Sequence, residues 1–143
     1  MHIETDASTL AGELRIVVGQ LIRRLRAERR NELSLPQVNV LGHLDRGGPR
    51  GISELAGLER VRPQSMASTV AALEDAALVT RRPDPHDGRR VAIELTDAGR
   101  AAIAADRRVR ESWLAEALER DLSDEERRLV ADALAVIARI AER

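Results

Sequence analysis

Residues 51–95 read GISELAGLERVRPQSMASTVAALEDAALVTRRPDPHDGRRVAIEL, and a change of period inside this stretch decides the fold. Its first half repeats at about 3.6 residues and its second half at about 2. Residues 51–58 spell a helix of about two turns, with Ser53 or a neighbour as its cap. Four irregular residues follow. Pro63, suited to a first helical turn, then opens a second helix that runs to about Ala76. In that helix Met66, Val70, Leu73 and Ala77 are expected to face inward, leaving Gln64, Ser65, Ser68, Thr69 and Ala72 outside. A short helix, a tight turn and a second helix that begins with small polar residues make a helix-turn-helix pattern. Behind it, residues 79–82 and 90–95 read as short strands. They are joined by Pro83-Asp84-Pro85-His86-Asp87-Gly88-Arg89, in which Asp87-Gly88 is a turn dipeptide. A hairpin tipped with arginine directly behind a helix-turn-helix is a wing.

Working outward, Leu10, Leu14, Val17, Leu21 and Leu25 recur at spacings of four and three, with Val18 and Ile22 widening the stripe. This predicts a long helix from about Thr9 to Asn31. Ser34 offers a cap and Pro36 a first-turn residue for a helix carrying Val38, Leu41 and Leu44, which Gly47-Gly48-Pro49 stops. Downstream of the hairpin, Thr96 caps a long helix beginning at Asp97. Its expected stripe is Ala98, Ala102, Ala105, Val109, Trp113 and Ala117. Ser123, with Glu126 three residues on, forms a capping box for a last helix faced with Leu129, Val130, Ala133, Leu134, Ile137 and Ile140. The fold class is therefore mainly α. A winged helix-turn-helix spans residues 35–97, and helices from 1–34 and 98–143 form a dimerisation bundle.

Composition bounds the function. The chain has 143 residues with 33% charged and 43% apolar side chains, which suits one compact soluble domain with a helical extension. No stretch approaches the roughly 18–20 apolar residues of a membrane span, and Met1-His2-Ile3-Glu4 has no signal-peptide character, so a cytoplasmic location and no membrane partner are expected. With no cysteine, disulfides, thiolate catalysis, cysteine redox sensing and Cys-based zinc sites are excluded. His2, His43 and His86 have no metal-ligand spacing, so neither metal nor cofactor is expected. No paired carboxylates, Ser/His/Asp order or phosphate loop points to an enzyme. The net charge of −1 hides segregation. Arg15, Arg23, Arg24, Arg26, Arg29 and Arg30 load the first helix, Arg81, Arg82, Arg89 and Arg90 bracket the hairpin loop, and residues 111–126 are strongly acidic.

A major-groove reader needs short donors and acceptors on an element that fits the groove. Gln64, Ser65, Ser68 and Thr69 supply them at the start of the 63–76 helix, where N–H groups also suit phosphate. Gln bonds an adenine edge through two atoms, and a Thr methyl meets a thymine methyl. Arg60 and Arg62 precede that helix at phosphate positions. Arg89 at the hairpin tip suits a narrow minor groove, Arg90 and His86 suit phosphates, and Asp87 orients an arginine through charge-assisted bonds. The alternative reading, a winged-helix protein-interaction module without DNA binding, draws on the near-zero net charge and the acidic third quarter. Such a module has no need of the wing arginines.

Ile52-Ser53-Glu54-Leu55-Ala56, Pro63-Gln64-Ser65-Met66, Leu73-Glu74-Asp75-Ala76-Ala77-Leu78-Val79, Asp87-Gly88-Arg89-Arg90 and Leu95-Thr96-Asp97-Ala98-Gly99 together resemble the MarR family of winged-helix transcription regulators. The Asp-x-Arg wing followed by Leu-Thr-x-x-Gly is the most specific part. Ala77 departs from the family, which commonly has glycine there; a left-handed alanine costs about 1 kcal/mol. The resemblance implies a homodimer whose terminal helices interleave and whose two lobes read a pseudo-palindromic operator on double-stranded DNA. The broad apolar faces of the terminal helices agree with a dimer, although an intramolecular bundle also accounts for them. Leu10, Leu14, Val17, Leu118, Leu134, Ile137 and Ile140 are the expected interface residues. Relatives often bind aromatic carboxylates or phenols between the lobes. That implies a repressor released by such an effector, with Arg15, Ile22, His43, Arg108 and Trp113 as candidate lining residues.

Overall fold

The computed structural model describes residue 3, residues 5–28 and residues 33–143. His2, Arg29, Arg30 and the expected helix end at Asn31 lie outside these. The described elements are α1 (Ala7–Ala27), α2 (Leu35–Gly47), α3 (Ile52–Glu59), α4 (Pro63–Asp75), β1 (Val79–Pro83), β2 (Val91–Leu95), α5 (Asp97–Asp121) and α6 (Asp124–Ala141). This is the mainly helical winged-helix fold read from the sequence. The chain divides into two compact units, Arg30–Arg107 and Met1–Arg29 with Arg108–Arg143.

In the winged unit the core is aliphatic. Val38, Val40, Leu41 and Leu44 of α2 meet Leu55 and Ala56 of α3, Met66, Val70 and Leu73 of α4, Val79, Ile93 and Leu95 of the strands, and Ile103 of α5. Each large side chain so buried contributes about 1.5–3 kcal/mol. The strands pair antiparallel in the register Val79↔Leu95 to Pro83↔Val91. Arg50 adds a further rung, donating to Ile93 O at 3.0 Å and accepting from Ile93 N at 2.7 Å, so the chain ahead of α3 is stitched to the wing.

Both helices of the helix-turn-helix end in left-handed turns made by non-glycine residues. At the end of α3, Arg60 takes φ 53° while Val61 N reaches back to Ala56 O. At the end of α4, Ala77 takes φ 59° while Leu78 N reaches Leu73 O and Ala77 N reaches Glu74 O. These are Schellman closures, which satisfy the orphan carbonyls of a helix end and strongly prefer glycine at the left-handed position. Ala77 is therefore exposed and beyond the helix, not inward-facing as its spacing suggested.

The passage from wing to α5 is a tight joint. Thr96 Oγ1 donates to Ala77 O at 2.7 Å and accepts from Gly99 N at 3.1 Å, and Thr96 N donates to Leu78 O at 3.1 Å. A Cβ on Gly99 would lie 2.0 Å from Leu78 O, so only glycine fits this joint. The inward face of early α5 is consequently Gly99, Ile103 and Asp106. The alanine stripe expected there is displaced, with Ala98 and Ala105 exposed. The start of α5, through Arg107, thus packs in the winged unit.

Local signals account for most helix starts. Ser34 with Gln37 and Ser123 with Glu126 form complete capping boxes. Two starts differ from expectation. Helix α1 begins at Ala7, because Asp6 accepts from Ser8 N at 3.1 Å and Thr9 N at 3.3 Å. Helix α3 has Gly51 at its N-cap with no side-chain bond, so Ser53 lies inside the first turn and caps nothing.

The other unit has no buried residue in α1 or α6. Arg127 Nη1 of α6 donates to Leu122 O at 2.7 Å, tying the start of α6 to the end of α5. Arg24 lies over the Trp113 ring, 4.5 Å from its centroid.

Candidate nucleic-acid interface

Helix α4 presents what a reading helix requires. Arg62 at its N-cap has extended backbone and makes no side-chain cap bond, and Pro63 fills the first turn without needing a partner for a backbone N–H. The remaining first-turn amides are left for an anion. Gln64, Ser65 and Ser68 are exposed, while Met66, Val70 and Leu73 anchor the opposite face. Thr69 is half-buried and its hydroxyl donates to Ser65 O at 3.2 Å, which leaves its methyl and an acceptor lone pair for any base. Arg60 and Arg62 are both exposed on the turn that precedes the helix.

The wing sorts its arginines into two kinds. Arg81 Nε donates to both carboxylate oxygens of Glu74 at 3.2 and 3.1 Å, and Arg82 Nη1 to both of Glu94 at 2.9 and 3.0 Å. These two are neutralised within the fold. Arg89 and Arg90 at the tip are 92% and 79% exposed and share one weak partner, Asp87, at 3.3 and 3.7 Å. Such exposed pairs are worth at most about 1 kcal/mol and are readily exchanged for a phosphate or a groove. The tip itself is shaped by Asp84, whose carboxylate accepts from His86 N at 2.7 Å and Asp87 N at 3.2 Å. Those backbone bonds, His86 first, hold the Asp84 carboxyl below the usual aspartate range, with the His86 and Arg90 charges assisting. Asp87 Oδ1 accepts from Arg89 N at 3.1 Å, so it orients both backbone and side chain of the tip arginine.

The other candidate positions are divided between the two units. Arg15 and Ile22 line one apolar groove of about 660 Å³ with Leu10, Leu14, Val18 and Ile140. Trp113 is half-buried beneath Arg24, and Arg108 is exposed. His43 belongs to the winged unit and donates from Nε2 to Glu59 Oε1 at 2.6 Å. Among the expected interface residues, Leu10, Val17, Leu134 and Ile140 are exposed at 46, 45, 61 and 62%, and Leu14, Leu118 and Ile137 are half-buried. No group of residues among those described could hold a metal ion, and no described helix is long and apolar enough to cross a membrane.

Sequence reasoning missed the carboxylates that engage Arg81, Arg82 and His43. Glu94 was within reach of the strand register, because it lies diagonally across the ladder from Arg82. Glu74 and Glu59 meet their partners through tertiary packing, for which the sequence carries no periodic signal.

Comparison with known proteins agrees with this geometry. The MarR family model matches residues 32–90. An uncharacterised HTH-type transcriptional regulator of Mycobacterium leprae is 35% identical over 141 residues, covering 98% of this chain and 97% of that protein. The crystal structure of a transcriptional regulator protein from Pseudomonas aeruginosa superposes with a TM-score of 0.84 at 36% identity, covering 98% of this chain and 99% of the other. A MarR family protein from Bacillus stearothermophilus gives a TM-score of 0.84 at 25% identity, with 95% of each chain covered. A helix-turn-helix followed by an arginine-tipped wing, on a chain this similar over nearly its whole length, places the protein in the MarR family of winged helix-turn-helix transcriptional regulators.

Proposed function

We propose that the protein is a cytoplasmic homodimer that reads a pseudo-palindromic operator and represses transcription until a small aromatic or phenolic effector releases it. The observation that carries the DNA reading is the division of the wing arginines. Two are locked to carboxylates, and two at the tip share only the weak partner Asp87, which leaves them available to an outside anion. In this reading Gln64, Ser65 and Ser68 meet base edges in the major groove, with Thr69 at its margin. Arg60, Arg62, Arg90, His86 and the α4 amides meet phosphates, and Arg89 enters the minor groove.

The dimer is supported by the apolar residues that α1 and α6 leave exposed, since a folded monomer rarely shows so much contiguous apolar surface. Two lobes about 34 Å apart then meet successive major grooves. An effector bound near Arg15, Ile22, Arg108, Trp113 or His43 weakens DNA binding by its differential affinity for the two lobe spacings and by no more.

A mobility-shift titration on the chain's own upstream DNA and on an unrelated duplex, at several salt concentrations, tests the reading. Neutralising several phosphates gives a steep negative salt slope, and Arg89→Ala weakens binding by about 1–3 kcal/mol with the dimer intact. Equal indifference to every duplex at low salt, or a strict monomer by sedimentation, overturns it. A thermal-shift screen with benzoic and phenolic acids tests the effector, because saturation at 100 times Kd adds about 2.7 kcal/mol.

A further inference from the structure

Glu59 is the last residue of α3, and both of its carboxylate oxygens are engaged by α2. Oε1 accepts from His43 Nε2 at 2.6 Å and Oε2 from Asn39 Nδ2 at 3.2 Å. Asn39 and His43 are four residues apart, so they stand on successive turns of one α2 face and grip the carboxylate together. The His43 and Glu59 side chains are each only 21% exposed, which sets this contact apart from the solvated pairs elsewhere on the surface.

The place of the clamp in the chain gives it a consequence. Arg60, directly after Glu59, carries the left-handed backbone of the turn, and Pro63 begins α4 three residues later. Arg60 N closes onto Gly57 O and Val61 N onto Ala56 O, so the start of the turn is bonded back to α3. Within α4, Met66 is the first buried side chain, and Gln64 and Ser65 ahead of it are exposed. Core packing therefore sets the axis of α4 from Met66 onward. The lateral placement of its first turn depends on where the end of α3 is held, and Glu59 holds it.

From this we infer that Glu59, with His43 and Asn39, is a positioning group for base reading: it fixes the first turn of α4 without touching DNA. The inference rests on the DNA-binding function proposed above. Both Glu59 oxygens are already committed, and the carboxylate is shielded beside α2, so it makes no contact of its own with a base.

The test uses full-length protein and two duplexes, one selected by wild-type protein from a random pool and one scrambled. Glu59→Ala is expected to lower the ratio of selected to scrambled affinity about tenfold, the loss of about one good base contact. Scrambled-duplex binding should fall by much less, because the wing contacts of Arg89, Arg90 and His86 do not depend on the first turn of α4. Glu59→Gln should restore most of the discrimination, since an amide oxygen still accepts from His43 or Asn39. Asn39→Ala removes one donor and is the milder variant if Glu59→Ala folds poorly. Amide hydrogen exchange at Val61 and Met66 should quicken in Glu59→Ala and recover in Glu59→Gln, a readout that needs no DNA. Unchanged discrimination in Glu59→Ala overturns the inference, and so does an equal loss on both duplexes. If wild-type protein selects no duplex, the DNA reading falls and takes base positioning with it, while the exchange rates still judge the clamp.

Discussion

Gly99→Ala puts one methyl group into the joint between wing and α5, and its cost can be worked from the geometry. The new Cβ would stand 2.0 Å from Leu78 O, 3.0 Å from Leu78 C and 3.1 Å from Leu95 Cδ2. The nearest atom is backbone, so no side chain can swing away, and α5 must withdraw by more than an ångström. Overpacking of this kind costs about 1–3 kcal/mol. The withdrawal also stretches Thr96 N to Leu78 O and Thr96 Oγ1 to Ala77 O, each bond worth about 1 kcal/mol. A loss of about 3–5 kcal/mol results, a large share of the roughly 5–15 kcal/mol that holds a domain together. Urea denaturation followed by circular dichroism should show a midpoint well below wild type, and Tm should fall by about 10–15 °C. Gly57→Ala is the control. Gly57 lies in α3 with nothing within 4 Å of an added Cβ, so the same substitution there should stabilise by about 0.5–1 kcal/mol. Two variants of equal stability would refute the packing argument.

Other outcomes follow from the same coordinates. Ala77→Gly relieves a left-handed alanine and should raise stability by about 0.5–1 kcal/mol in the same urea assay. Arg60→Gly should stabilise by a similar amount yet weaken DNA binding, so denaturation and mobility shift must move in opposite senses. Acid should loosen the wing loop. The Asp84 carboxyl is held below its usual range by the His86 and Asp87 amides, so its contribution is complete above about pH 4 and is lost as pH falls through the lowered value. Protection of the His86 and Asp87 amides, measured relative to the intrinsic exchange rate at each pH, should fall over that range in wild type, and Asp84→Asn should abolish that change.

Features written in adjacent residues were legible in the sequence. Ser34 and Ser123 announce their helices because a capping box lies within four residues, and Asp87-Gly88 announces the hairpin for the same reason. The α5 stripe was misread for a different cause. Ala98, Ala102 and Ala105 share their spacing with Gly99, Ile103 and Asp106, and the two sets lie about 100° apart on the helix. Periodicity cannot choose between them; the close approach of Leu78 to Gly99 does. Of the candidate site, the outward residues of α4 and the tip arginines were readable from order along the chain. The engagement of Arg81, Arg82 and His43 was not, since each partner is brought in by packing or by register.

Trp113 is the chain's one aromatic side chain, and it stacks under Arg24 in the unit built from the two ends of the chain. Tryptophan emission is thus a built-in probe of that unit alone and is blind to events confined to the other. Melting curves recorded by fluorescence and by far-ultraviolet dichroism coincide if the halves come apart in one cooperative step. They separate if the halves unravel at different temperatures.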